Sequence, residues 1–328
     1  MTTPSPHAVV LRDLGLGDLL VAVPALRLLR RALPGHEIVL VAPAALAPLV
    51  ARIEAVDRHV RDLSSYSSED HARTDVAVNL HGRGPESHAR LDALAPRRRI
   101  GHALPDAEGP DGDGPSWAGP PWTDDPARPE RRRWCDLLAA AGLVDEATAR
   151  DAADDLRLPG RRAAPAGPVV VHPGAAYGAK RWPPERFAVV TGALARQGHP
   201  VVVTGGDGER RLTAEVVVRA GLPPDADLGG RTDLAGLLDL VAAARLVLAG
   251  DTGISHVATA LGTPSVTLFG PVPPSQWGPP PGGPHVVLGD AAARRGERFA
   301  DDPDPALLAV TPDEVLAALA PLIPAVPA

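Results

Sequence analysis

Short apolar runs, each closed by a Gly- or Pro-bearing turn and followed by a helix-period segment, recur along this chain, and that alternation limits its fold most. AVVLR (8–12) leads through DLGLGD (13–18), where Asp18 opens the helical pattern LLVAVPALRLLRRAL (19–33). EIVLVAP (37–43) reads as the next strand and residues 44–53 as a helix; VRDL (60–63), DVAVNLHG (75–82) and RRRIGH (97–102) read as further strands, with helical ESHARLDALA (86–95) among them. Strands without a polar face, separated by helices, call for a parallel sheet covered on both sides. From 104 to 131 the chain turns to Pro, Gly and acid, which predicts an exposed loop or mobile flap holding Trp117 and Trp122, as acceptor contacts or as packing anchors. RRWCDLLAAAGL (132–143) is helical, and RLPGRRAAPAGP (157–168) has the composition of a linker.

The alternation then restarts. VVVH (169–172), VVVTGG (201–206), LVLAG (246–250) and SVTLFG (265–270) are strands. Helices are expected from Pro183-Pro184 to Gln197, over 209–220, 233–243 and 254–261, and at the end in PDEVLAALAPLI (312–323). The expectation is an α/β protein of two doubly wound, Rossmann-like domains, 1–165 and 166–328, with ligands at the carboxyl ends of the strands.

Composition excludes several functions. The net charge of −7, with no dense basic stripe, argues against nucleic acid as a partner. One cysteine, Cys135, allows neither an internal disulfide nor a cysteine metal cage, and reads as a small hydrophobe on a helix. His81 and His88 lack metal-ligand spacing and read as polar cleft or surface groups; no metal is expected. The start MTTPSPHAVVLRD has no signal-peptide character, and no apolar run approaches a membrane span. The expectation is a cytoplasmic protein, monomeric, with at most peripheral membrane contact.

Four loops carry candidate chemistry. In GLGD (15–18), Gly15 and Gly17 let the chain turn and Asp18 is either a helix cap or a general base. In HPGAAYGAKRW (172–182), His172 ends a strand, Gly174 turns, and Lys180 and Arg181 precede a helix start. That combination is either an anion site or a plain loop with solvated cations. Lys180 is the single lysine among 33 Lys and Arg residues, and a compact ammonium suits a phosphate oxygen in a tight loop. Substitution there is expected to leave folding stability unchanged. In AGDTGISH (249–256), Asp251, Thr252 and Gly253 aim donors at a diphosphate, or cap a helix in which His256 is merely satisfied. In TGGDGE (204–209), Gly205 and Gly206 follow a strand, and Glu209 either binds a ribose diol or favours the helix dipole.

Taken in order, these motifs resemble glycosyltransferase family 9, the heptosyltransferase family. The stretches that carry the resemblance are LRDLGLGDLLVAVPALRLLRRALPGHEIVLV, VVVHPGAAYGAKRWPPERFAVVTGALARQGHPVVVTGG and DLAGLLDLVAAARLVLAGDTGISHVATALGTPSVTLFGP. The resemblance implies the GT-B fold, two Rossmann-like domains facing across a cleft with a C-terminal helix. It also implies inverting, metal-independent transfer from a nucleotide sugar, typically ADP-heptose, with no other cofactor. By the same likeness Asp18 is the catalytic base, Lys180 the donor-phosphate lysine and Glu209 the ribose ligand. Asp251, Thr252, Gly253 and His256 match the donor loop, supported by His172, Gly174, Arg181, Gly205 and Gly206. Gly17, His81 and Arg83 fall on the acceptor side. Pro273 stands where members often have Asp. The acceptor is expected to be a lipopolysaccharide-core-like or other cell-envelope glycan. A small natural product, an epimerase of the same build and a nucleotide-sugar-binding module without chemistry are the other readings.

Overall fold

A computed structural model describes residues 4–104, 117–159 and 167–323. The chain divides into two units, Met1–Leu156 and Arg157–Ala328. The expected boundary at 165/166, part of the linker and residues 105–116 of the expected flap lie outside the described residues.

The first unit runs β1 (His7–Leu11), α1 (Leu16–Ala32), β2 (Glu37–Val41), α2 (Ala47–Val50), β3 (Arg58–Val60), α3 (Ser68–Arg73), β4 (Thr74–Asn79), α4 (Glu86–Asp92), β5 (Arg98–Ile100), α5 (Glu130–Ala140) and α6 (Glu146–Ala152). Its strands form one parallel sheet in the order β3-β2-β1-β4-β5. Every residue of β1 is buried, as a central strand covered on both faces requires. Val9, Leu11, Val39, Val41 and Ala77 form one face of the core with Leu91, Leu94 and Trp117. Alternation leaves Val10, Leu40 and Val78, also buried, for the opposite face.

Two expectations contract for local reasons. The helix expected over 44–53 is a 3₁₀ turn, Ala44–Leu46, followed by the single turn α2, because Pro48 has no N–H for the Ala44 carbonyl. The strand expected at 60–63 ends at Val60; Asp62 turns the chain by accepting the Ser64 N–H at 2.8 Å.

The second unit runs β6 (Val169–His172), α7 (Pro184–Arg196), β7 (Val201–Val203), α8 (Arg210–Ala220), α9 (Leu234–Ala243), β8 (Leu246–Gly250), α10 (Gly253–Leu261), β9 (Ser265–Leu268), α11 (Pro274–Trp277), β10 (His285–Leu288), α12 (Pro305–Leu308) and α13 (Pro312–Leu319). The parallel sheet has the order β10-β9-β8-β6-β7. Beyond β7, Asp227 bridges in parallel to Val203 and the Leu228 N–H reaches the Val203 carbonyl at 2.8 Å. With that bridge in third place, strands counted within the unit read 3-2-1-4-5-6, extending the 3-2-1-4-5 of the first unit. The doubling of the sequence is thus a doubling of topology. Val169, Val171, Leu246, Leu248, Val266 and Leu268 pack against Phe187, Val190 and Leu194 of α7 and Val315 and Leu319 of α13.

In each sheet the strand order reverses at one place, between β1 and β4 and between β6 and β8. Loops leaving the carboxyl ends of such a strand pair diverge to opposite faces and open a crevice. Both crevices are lined by loops singled out from the sequence.

Candidate functional site

In the first unit, α1 begins at Leu16, so Asp18 stands in its first turn rather than at its cap. The Asp18 carboxylate does support the helix start: Oδ2 accepts the Gly15 N–H at 3.2 Å. Oδ1 lies 3.6 Å from Nη2 of Arg12, the residue after β1. Asp18 is 33% exposed, whereas Arg12 is 1% exposed. Across the crevice, the β4–α4 loop places His81 half-buried and Arg83 exposed. Burial, with Arg12 and Arg90, holds the His81 imidazole below its ordinary pKa, while Asp13 and Asp18 pull the other way. Asp18, Arg12 and His81 are therefore one electrostatic group.

His88 differs from expectation. It is buried, stacked 4.0 Å from Trp117, with neither ring nitrogen hydrogen-bonded among the described residues. Trp117 and Trp122 are packing anchors: Trp117 lies over His88, and Trp122 sits edge-on to His102 with the Arg133 guanidinium 4.1 Å from its ring. Their neighbours Ala118 and Pro121 bridge to Ile100 and Ala103, so this part of the expected flap is pinned to the end of β5. Cys135 is buried on α5, and burial pushes its thiol up to about 12.

In the second unit the loops after β6, β7 and β8 converge. Lys180 Nζ donates to Asp251 Oδ2 at 2.7 Å, and His256 Nε2 lies 3.9 Å from the other carboxylate oxygen. Asp251 is 4% exposed and Lys180 23%. Asp251 is thus the counterion of the lone lysine, and the capping reading of Asp251 does not hold. Thr252 is the N-cap of α10 by backbone conformation, with no side-chain cap bond, and Gly253 opens the helix. The Gly253 and Ile254 N–H groups come too early in α10 to have an acceptor within the helix, and the Ser255 N–H donates to the Thr252 carbonyl at 3.0 Å. The edge of Trp277, on α11, meets the His256 ring at 5.9 Å.

Glu209 closes a 3₁₀ turn, Asp207–Glu209, ahead of α8, and its Oε2 accepts the Gly206 N–H at 2.8 Å. The carboxylate lies over Gly174, where a Cβ would overlap it, and a Cβ on Gly205 would stand 3.1 Å from the Glu209 Cβ. His172 Nε2 is 3.8 Å from Glu209 Oε2; burial lowers the imidazole pKa and Glu209 raises it. His172, Gly174, Gly205, Gly206 and Glu209 thus form one packed group. Arg181 is exposed but its Nε donates to the Ala175 carbonyl at 2.8 Å, tying the β6–α7 loop to itself.

This loop is clamped at both ends. The Trp182 indole is buried and donates to the Val310 carbonyl at 3.1 Å. The Ala179 N–H reaches the Ala300 carbonyl at 2.9 Å, and a Cβ on Gly178 would overlap the Asp301 carbonyl. A backbone atom cannot swing aside, so we expect Gly178→Ala to destabilise the protein by about 1–3 kcal/mol. Thermal melting should show a lowered midpoint; an unshifted melt would mean that the 297–304 segment is not held on this loop.

Among the described residues, no three His, Cys, Asp or Glu side chains are gathered as a metal cage, and no helix is long and apolar enough to cross a membrane. The sequence matches glycosyltransferase family 9 (heptosyltransferase) over residues 125–291, half of the chain. The chain belongs to glycosyltransferase family 9.

Family 9 relatives agree. The lipopolysaccharide heptosyltransferase 2 of Escherichia coli (strain K12) is 32% identical over 151 residues, 44% of this chain and 43% of that one. The lipooligosaccharide heptosyltransferase 2 of Haemophilus ducreyi (strain 35000HP) is 32% identical over 157 residues, 44% of each. These alignments span less than half the length of either relative. The fold is shared over nearly the whole chain. The structure of E. coli ADP-heptose lps heptosyltransferase II superposes with a TM-score of 0.73 at 22% identity, covering 97% of this chain and 98% of that one. A family 9 glycosyl transferase from Veillonella parvula DSM 2008 gives 0.76 at 21%, covering 98% of each. The fold expected from the sequence, paired Rossmann-like units of the GT-B class, is the one observed.

Proposed function

We propose that this chain is an inverting glycosyltransferase that moves a heptose from ADP-heptose to a hydroxyl of a lipopolysaccharide-core-like acceptor, with no metal ion. The observation that carries this reading is the convergence of Lys180, Asp251, the α10 N-terminus and Glu209 around one crevice of the second unit. A diphosphate needs a cation and N–H donors, and a ribose diol needs a carboxylate acceptor; both sets are present. The names of the relatives supply the sugar and the glycan.

In this reaction the acceptor oxygen attacks the sugar C1 from the side opposite the diphosphate. The new C1–O bond forms as the C1–O–phosphate bond breaks, its electron pair leaves with ADP, and the configuration at C1 inverts. Asp18 takes the acceptor's hydroxyl proton. Lys180 and the α10 N–H groups stabilise the charge on the departing diphosphate, the task a metal performs elsewhere. The enzyme works as a monomer in the cytoplasm, touching the membrane only through its acceptor.

The test is mass spectrometry of purified protein with ADP-heptose and rough lipopolysaccharide core. A mass gain of one heptose on the core, unchanged in EDTA, is expected. ADP-heptose consumed without acceptor would point to an epimerase, bound ADP without turnover to a binding module, and activity restored only by Mg²⁺ or Mn²⁺ would overturn the metal-free mechanism.

A further inference from the structure

Arg12 ends the strand reading AVVLR (8–12) and lies in the first stretch that carries the family resemblance, but the sequence assigned it no role. The structure gives it a singular place. It follows β1 at the point where the first sheet reverses, and it is 1% exposed. Its Nε donates to the Asp18 backbone carbonyl at 2.9 Å, and Nη1 donates to the Leu80 carbonyl at the end of β4. The guanidinium carbon lies 4.7 Å from the centre of the Trp134 ring on α5. The remaining terminal nitrogen, Nη2, has no hydrogen-bond partner among the described residues and points at Asp18 Oδ1, 3.6 Å away.

A buried arginine donor left unmade is costly, and folded proteins rarely keep one without a use. Here the fork is fixed on three sides by two carbonyls and a ring face, so its fourth contact has a fixed direction. That direction is the carboxylate. The opposite carboxylate oxygen is held by the Gly15 N–H.

We propose that Arg12 is the positioning residue for Asp18, holding the helix turn and the carboxylate of the base in one orientation toward the acceptor hydroxyl. The proposal rests on Asp18 being the base. Lysine cannot replace arginine here, because a single ammonium cannot reach both carbonyls and the carboxylate from the Trp134 face. Misplacing a catalytic group by about 1 Å typically costs on the order of 10²-fold in rate.

The experiment compares Asp18→Asn, Arg12→Lys and Arg12→Ala with wild type, using ADP-heptose and rough lipopolysaccharide core, after melting curves establish which variants fold. For Arg12→Lys we expect kcat to fall about 10²-fold with the KM for ADP-heptose unchanged, since the groups assigned to the donor belong to the other unit. For Arg12→Ala we expect a comparable loss, relieved by added ethylguanidinium and not by ethylurea, which has a similar shape without the charge. Wild-type kcat in Arg12→Lys, or equal rescue by ethylurea, would overturn the positioning role while the loss in Asp18→Asn left the base in place. If Arg12→Ala does not fold, the Arg12→Lys result decides alone. Wild-type turnover in Asp18→Asn would remove both the base and the residue said to orient it.

Discussion

Asp18→Asn should lower sugar transfer by about 10²–10⁴-fold while leaving the protein folded and its affinity for ADP unchanged. The substitution keeps nearly the same volume, and an amide oxygen still accepts the Gly15 N–H that Asp18 Oδ2 accepts at 3.2 Å. What disappears is the capacity to take a proton. The contact with Arg12 is long, 3.6 Å, and the amide oxygen can still face Nη2, but the buried guanidinium loses a counter-charge, so the variant should fold with a lowered melting midpoint. ADP affinity should be insensitive because Lys180, Glu209 and Asp251 all belong to the other unit. Single-turnover transfer from ADP-heptose, with ADP titration calorimetry alongside, separates the two effects. Turnover close to wild type would leave Asp18 as a helix-supporting residue and no more. A parallel drop in ADP affinity would show that the variant had disturbed more than the base.

Much of this architecture was readable in the sequence because it rests on local rules. An apolar run such as VVVH followed by Pro-Gly can hardly be anything but a buried strand and a turn, and Pro183-Pro184 announce a helix start. Strand β10 escaped because HVVL sits between prolines, glycines and an acidic stretch with no long helix after it. Edge strands of that length are recognised by their neighbour, here β9, and not by their own residues. The crevice residues were readable one at a time, while their partnerships were not. Lys180 and Asp251 both stood out, yet nothing local says that residues 71 positions apart form an ion pair. Glu209 over Gly174 is the same case, since a missing Cβ matters only where another loop occupies the space. Arg12 was hidden for a further reason. Its burial depends on Trp134 and the Leu80 carbonyl, which come from distant segments, and an exposed and a buried arginine look alike in sequence.

The lone lysine gives the second large effect, and the ion pair with Asp251 changes what it predicts. A lysine on a solvated loop could be removed without structural consequence, which is what the sequence suggested. In the structure its removal strands a carboxylate that is 4% exposed, with His256 Nε2 at 3.9 Å as the other neighbouring group. A buried polar group left without its partner typically costs about 1–3 kcal/mol, so Lys180→Ala should melt measurably earlier than wild type. It should also lose ADP affinity. A charge-assisted hydrogen bond to a phosphate oxygen is worth roughly 1.5–3 kcal/mol, about 10- to 150-fold in the dissociation constant. Lys180→Arg should recover part of each, because its charge is right but its planar fork is larger than the space an ammonium fills. Stability and affinity can then be pulled apart in one cycle. Asp251→Asn added to Lys180→Ala removes the stranded charge and should restore much of the lost stability. It cannot restore the cation that meets the diphosphate, so ADP affinity should stay low. If the double variant regained both, Lys180 would act only by holding Asp251 in place; if Lys180→Ala bound ADP like wild type, the lysine would have no part in the donor site.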